Sequence, residues 1–157
     1  MSSVAKMPEL PEVQTVVNDL VASGLMGQTI TDVQIRWPGS IARLSPEAFR
    51  RTLIGRRIET LSRRAKWIVW KMDGGLTMLT HLRMTGRFHL TAPGAGYGKH
   101  DHVAFTIDGK RQLRYHDTRK FGRFYLPDST AMLDRLGPEP LSRQFTARKL
   151  AKRLAAH

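Results

Sequence analysis

The residues most able to do chemistry begin at Met7-Pro8-Glu9-Leu10-Pro11-Glu12-Val13. If Met7 starts the chain and is removed, Pro8 is left with a free secondary amine. Attack by that amine on a sugar carbon gives a charged iminium. Glu9 stands beside it and could move protons to and from the sugar while the covalent intermediate lasts. The same residues also suit a helix start, because proline at the first helical position and acids in the first turn match the helix dipole. With Met1 to Lys6 and Met7 ahead of it, the Pro8 nitrogen is a tertiary amide without a nucleophilic lone pair. Chemistry at Pro8 therefore requires that Pro8 become the first residue.

Two further stretches hold reactive side chains. Arg63-Arg64-Ala65-Lys66 leads into the apolar run Trp67-Ile68-Val69-Trp70. A lysine entering a buried strand can have its ammonium in a partly dry cleft beside phosphates, where it donates a proton or fixes cleavage geometry. A solvated surface lysine is the plainer reading of Lys66. Lys99-His100-Asp101-His102 places two histidines at strand spacing, so both would share a face and a His-x-His metal pair has to be weighed. No third ligand has suggestive spacing and the surroundings are basic, so no metal is assigned.

The elements that must position these groups follow from periodicity. Val13, Val16, Val17, Leu20 and Val21 recur at helical spacing, with Gly24 where a helix would stop. Pro8 and Pro11 stiffen the approach to that helix. A second helix is predicted from Ser45 as N-cap, Pro46 at the first position, Phe49 and Leu53 on one face and Gly55 after it. Strands are predicted at residues 29–36, 57–62, 67–72, 76–82, 87–90, 103–107, 112–116 and 123–126. Asp73-Gly74-Gly75 and Asp108-Gly109 accept positive φ and mark antiparallel hairpins. Short strands at this spacing point to a sandwich or flattened barrel, not a parallel α/β sheet. Ala92 to Gly98 is glycine-rich but lacks a Gly-Lys-Ser/Thr ending, and reads as a flexible connection. Leu136-Gly137-Pro138-Glu139-Pro140-Leu141 reads as a helix stop and rigid turn, followed by a basic helix over residues 142–157.

Composition narrows the partner. The chain has 157 residues, 26 Lys and Arg against 13 Asp and Glu, and a formal charge of +13. Such a surface favours a polyanion through counterion release, and nucleic acid leads among partner classes. A solvated basic face is the alternative. No long apolar run or signal segment is present, which argues against a membrane. There is no cysteine, so disulfides and thiolate zinc sites are excluded within these residues, and a cytoplasmic protein fits.

Several motifs in order resemble the formamidopyrimidine-DNA glycosylases. Met7 to Val13 resembles the start of that family, Arg63-Arg64-Ala65-Lys66 its Arg-Arg-x-Lys hairpin, and His81-Leu82-Arg83-Met84-Thr85-Gly86 its His-Leu-x-Met-x-Gly turn. Lys99 to His102 matches a Lys-His-Asp-His segment. Asp117-Thr118-Arg119-Lys120-Phe121-Gly122 resembles the Asp-Pro-Arg-Arg-Phe-Gly loop, with Thr118 and Lys120 as departures. Leu136 to Leu141 matches the link that ends the family's first domain.

The resemblance implies a mostly β fold with flanking helices, a two-layer antiparallel β-sandwich. It implies Pro8 as Schiff-base nucleophile, Glu9 as acid/base and Lys66 as proton donor in β-elimination. His100 becomes a DNA-backbone contact. Met84, Arg119 and Phe121 become the residues that fill the gap left by a flipped base, with Arg119 also on DNA. The activity implied is excision of oxidised purines, 8-oxoguanine and formamidopyrimidines, with β,δ-elimination at the abasic site. Leu10 stands where the endonuclease VIII branch usually has Gly, which tilts the reading from oxidised pyrimidines toward purines; a DNA-binding fragment without catalysis is a further alternative. The expected organisation is an extension at residues 1–6, a catalytic domain at 7–141 and the start of a basic helix at 142–157. A helix–two-turn–helix and zinc-finger half would follow in a longer protein. No cofactor is expected in this chain; zinc is expected only in that finger. The expected partner is damaged double-stranded DNA, met by a monomer in a bacterial cytoplasm.

Overall fold

The computed structural model describes residues 10–126. Pro8 and Glu9, the extension expected at 1–6, the Leu136 to Leu141 link and the helix expected over 142–157 lie outside the described residues.

Helix α1 (Leu10–Ala22) buries Val13, Val17 and Leu20, one stripe at helical spacing. Gly24, at φ 83°, takes the left-handed conformation that ends it. Helix α2 (Pro46–Leu53) starts as its sequence predicts: the Ser45 hydroxyl accepts from the Ala48 N–H at 3.1 Å and Pro46 follows. Phe49 and Leu53 are fully buried.

Eight strands follow the first helix: β1 (Ile30–Ile35), β2 (Ile58–Arg64), β3 (Trp67–Met72), β4 (Thr77–His81), β5 (Arg87–Thr91), β6 (Asp101–Ile107), β7 (Arg111–His116) and β8 (Arg123–Tyr125). They form two four-stranded sheets, ordered β1-β6-β7-β5 and β2-β3-β4-β8. Every pairing between these strands is antiparallel. Side chains meet between the layers. Trp70 lies 5.6 Å from Phe88, and Phe124 lies 5.5 Å from Phe105 and 5.1 Å from Tyr115, each pair joining one sheet to the other. Burying one such aromatic contributes about 1.5–3 kcal/mol, and the tilted and edge-on packing adds to it. The sandwich expected from the sequence is the fold observed.

Strand β3 is buried on both faces. Ile68, Trp70 and Met72 join the main core, whereas Trp67 and Val69 pack with Leu79 and Tyr125 in a separate cluster. Its continuous apolar run has that cause. The Trp70 indole N–H donates to the Thr80 hydroxyl at 2.9 Å, which satisfies the one polar atom this ring brings inside.

Ala92 to Gly98 departs from the flexible connection expected. Arg114 is buried, and a buried cation needs acceptors. It donates to the Ala95 and Gly96 carbonyls at 2.6 and 2.8 Å. The guanidiniums of Arg36 and Arg114 lie over the Tyr97 ring, 4.4 and 4.0 Å from its centroid. Backbone carbonyls of the loop thus wrap a buried cation.

Candidate nucleic-acid interface

Three turns at one edge of the sandwich carry the site residues predicted within the described chain, apart from His100. Ala65 and Lys66 are the two-residue turn between β2 and β3. The turn after β4 carries Arg83 and Met84, and the loop after β7 carries Arg119 and Phe121. Ala65, Arg83 and Lys120 have φ of 53°, 57° and 60°, and directly precede Lys66, Met84 and Phe121. A left-handed residue without glycine is strained by roughly 1–2 kcal/mol. At each turn it reverses the chain just before the side chain that the sequence singled out.

One carboxylate ties two of these turns together. Asp117 is fully buried and accepts from the Thr85 hydroxyl, from the Tyr115 hydroxyl at 2.8 Å, and from the Gly122 and Arg119 N–H groups at 2.8 and 3.2 Å. Burial on its own would raise the Asp117 pKa. The hydrogen bonds, led by Thr85 and Gly122, outweigh it, and the carboxyl titrates below its ordinary value. Burial first, then the Asp117 charge, pushes the Tyr115 phenol up, so it remains a donor. Gly86 and Gly122 are obligatory at this junction, because a Cβ at either would fall on the Tyr115 hydroxyl.

Met84 and Phe121 are brought together by this arrangement. With Arg83 and Arg123 they line an open recess of about 330 Å³. Phe121 is 47% exposed, the most exposed large apolar side chain among the described residues, and Arg119 and Lys120 beside it are exposed. A second recess, about 360 Å³, lies on the other side of Met84 between Arg87, His116 and Thr118. Arg123 donates to the Lys120 and Gly122 carbonyls at 2.7 and 2.8 Å, and stiffens the Phe121 turn from below.

Lys66 is half-buried and is followed by Trp67, whose cross-strand partner is His81. The His81 ring stands edge-on to Trp67 at 4.9 Å, and its Nδ1 accepts from the Arg83 N–H at 3.1 Å. The proton therefore sits on Nε2. Burial, with the charges of Arg83 and then Lys66, lowers the His81 pKa to about 4. His81 is neutral at physiological pH and links the lysine turn to the Met84 turn.

The two histidines of the Lys99 to His102 stretch separate. His102 is buried; its Nε2–H donates to the Asp117 carbonyl at 2.7 Å and its ring meets Trp37. That use of Nε2 removes it from a His-x-His metal pair. His100 lies just outside β6 and is half-buried, and its Nδ1 has no hydrogen-bond partner among the described residues. Burial, then Lys99 and the nearby cations, holds its imidazole below the usual range. The His100 carbonyl accepts from the Asp117 N–H at 3.1 Å, which brings His100 to the edge that carries Arg119.

Two contributors escaped the sequence reading. The bracing role of Asp117 depends on Thr85 and Tyr115, which no local pattern links to it. Trp37 lies under the Lys120 ammonium and the Arg123 guanidinium, 5.2 and 5.5 Å from its ring, and braces the cationic loop. The only sequence signal for it was an isolated tryptophan before Pro38.

Fold and edge together define a two-sheet β-sandwich domain with a rigid cationic loop edge bearing one exposed aromatic. The family model for the formamidopyrimidine-DNA glycosylase N-terminal domain matches residues 7–124. The chain belongs to the formamidopyrimidine-DNA glycosylase family. It is 45% identical over 156 residues to the formamidopyrimidine-DNA glycosylase of Bacillus subtilis, covering 95% of this chain and 55% of the relative. To that of Chloroflexus aurantiacus it is 45% identical over 152 residues, with 94% and 54% covered. Among solved structures, the Lactococcus lactis protein bound to abasic-site DNA superposes with a TM-score of 0.79 at 31% identity, covering 93% of this chain and 55% of that one. The same protein with Fapy-dG-containing DNA gives 0.79 and 31%, with 93% and 56% covered. The chain thus spans about half the length of the curated relatives it matches. Without cysteine it cannot supply a thiolate zinc finger of its own.

Proposed function

We propose that this chain carries the catalytic half of a bifunctional DNA glycosylase and abasic-site lyase that acts on oxidised purines such as 8-oxoguanine and formamidopyrimidines. The observation that carries this reading is the bracing of the Met84 turn and the Arg119 to Phe121 loop by Asp117 at one cationic edge. A flexible methionine, an exposed phenylalanine and an arginine held together suit the replacement of a base turned out of the duplex. Arg119 pairs with the orphaned base, Phe121 wedges beside it, Met84 fills the gap, and His100 meets the backbone.

The chemistry falls to Pro8, Glu9 and Lys66. The Pro8 amine attacks C1′ as the bond from C1′ to the damaged base breaks, the base leaving with a proton; the amine then gives up its own proton, the C1′–O4′ bond breaks, O4′ takes a proton, and the nitrogen lone pair closes the iminium at C1′. Glu9 supplies and removes protons as the ring opens. Loss of the C2′ proton expels the 3′ phosphate, Lys66 donating the proton that this step requires, and a second elimination releases the 5′ phosphate. We place zinc only in a further half of the longer protein, and the working form as a monomer on damaged double-stranded DNA in a bacterial cytoplasm. Among the described residues no helix is long and apolar enough to cross a membrane.

The test is borohydride trapping on DNA with 8-oxoguanine or an abasic site, using one chain that starts at Pro8 and one that retains residues 1–7. A covalent adduct only with the first supports the mechanism; no adduct, with Pro8 verified as the first residue of a full-length protein, overturns it. Faster excision of an oxidised pyrimidine than of an oxidised purine would move the chain to an endonuclease VIII-like role.

A further inference from the structure

A cluster of three metal-binding side chains lies on the outer face of the first sheet, apart from the residues to which the glycosylase chemistry is assigned. His89 comes from β5, Asp101 from β6 and His116 from β7. Asp101 and His116 are direct cross-strand partners, and His89 stands opposite Arg114, two residues before His116. Strand pairing therefore brings the three together.

His89 Nε2 and His116 Nδ1 each lie 3.1 Å from the same atom, Asp101 Oδ1. The three atoms all fall within 4.8 Å of one another. Ligand atoms about 2.0–2.1 Å from a common tetrahedral centre stand about 3.3 Å apart; both pairs with Oδ1 are near that spacing, and the two imidazole nitrogens, within 4.8 Å, must draw together for one ion to meet all three. The other carboxylate oxygen is already engaged: Oδ2 accepts from the Gly98 N–H at 2.7 Å and has the Arg114 guanidinium at 3.8 Å. Among the described residues Oδ1 hydrogen-bonds with the two imidazoles.

We propose that His89, His116 and Asp101 form a solvent-open site for one borderline divalent metal ion of the zinc, cobalt(II) or nickel class. The imidazole pair selects those ions over magnesium or calcium, which require more oxygen ligands. The His89 side chain is 45% exposed, which leaves coordination positions open to water. On binding, each histidine presents its bare nitrogen to the ion and carries its proton on the other ring nitrogen or releases it. Arg114 and the +13 chain oppose a cation, so the site is weaker than a structural zinc centre. His116 directly precedes Asp117, and its ring lies 5.8 Å from that of His100, so an ion here would add charge at the edge of the proposed interface.

Co(II) and Zn(II) titration of the full chain at neutral pH tests this. The expected result is one ion per chain, a visible Co(II) absorption from nitrogen ligation, shifted His89 and His116 imidazole NMR signals, and a melting temperature that rises with metal. His89→Gln and His116→Asn should each weaken binding by more than about tenfold, and the double variant should abolish it while its circular dichroism is unchanged. Absence of binding overturns the proposal, because the two histidines then only neutralise a buried carboxylate. Binding that survives the double variant, or that is lost only with His100→Asn or His102→Gln, overturns it equally.

Discussion

The Tyr115 hydroxyl donates to the Asp117 carboxylate at 2.8 Å, and through it the last residues of β7 hold the cationic loop that follows them. Thr85 donates to the same carboxylate from the turn after β4. One buried acid thus sets the spacing between Met84 and Phe121. Asp117→Asn keeps the volume but turns an amide donor toward groups that already donate. Hydrogen bonds to a charged partner are worth about 1.5–3 kcal/mol each, so we expect a loss of about 3 kcal/mol in urea unfolding. Tyr115→Phe, which removes only one of several donors, should cost about 1 kcal/mol.

Gly122 is constrained by space and not by backbone conformation, since its φ is not positive. A Cβ there would meet the Tyr115 ring carbon at 2.8 Å and the His81 carbonyl at 2.9 Å, besides the hydroxyl. Gly122→Ala should destabilise by about 1–3 kcal/mol. Adding Tyr115→Phe should recover part of that loss, because it deletes the nearest clashing atom and leaves the others. A double variant no better than the single one, measured by thermal melting, would show that the crowding lies elsewhere.

His81 gives a pH dependence with a defined sign. Its folded pKa of about 4 lies below the ordinary 6.5. Above 6.5 both folded and unfolded chains hold it neutral. As pH falls from 6.5 to 4 the unfolded chain takes up the proton first, so folding stability declines over that window and the loss levels off below it. Full linkage bounds the effect at about 3 kcal/mol, and solvent screening of this half-buried ring brings it below that. His81→Gln should flatten stability between pH 6.5 and 4. Lys66→Gln should raise the His81 pKa in an NMR titration, because Lys66 is one of the charges that lower it. An unchanged His81 titration in that variant would separate the lysine from the Met84 turn.

Phe121 and Met84 should matter to DNA and little to folding. Phe121→Ala removes a side chain that is 47% exposed, so its unfolding free energy should move by less than about 1 kcal/mol. Base excision should fall about tenfold or more, since filling the vacated stack offsets an unstacking cost of a few kcal/mol. Arg119→Ala should weaken binding and reduce the salt slope by about one counterion if it also contacts phosphate. A Phe121→Ala protein with full excision activity would remove the wedge from the proposed mechanism.

The strands, both helices and the hairpin glycines were legible because each rests on local physics: alternation, a cap, a residue able to take positive φ. That Lys66, Met84, Arg119 and Phe121 lie in turns and loops was legible through the motifs that carry them; their roles on DNA belong to the proposed function. The order β1-β6-β7-β5 was not, since pairing β1 with β6 depends on burying two sheets against each other across distant sequence. Ala92 to Gly98 was misread because Arg114, which binds it, lies on another strand.

By itself the sequence determined which segments are strands, that the surface is cationic, and that Pro8 is a nucleophile only with a free amine. Tertiary structure alone decided which polar groups share a space. Asp117 braces two turns, His102 is a satisfied core histidine, and His89 meets His116 on Asp101, although nothing in their sequence spacing joins them. Local patterns report how a segment pairs with water or with its own backbone. Contacts between side chains on different strands exist only once the sheet register and the packing of the layers are set.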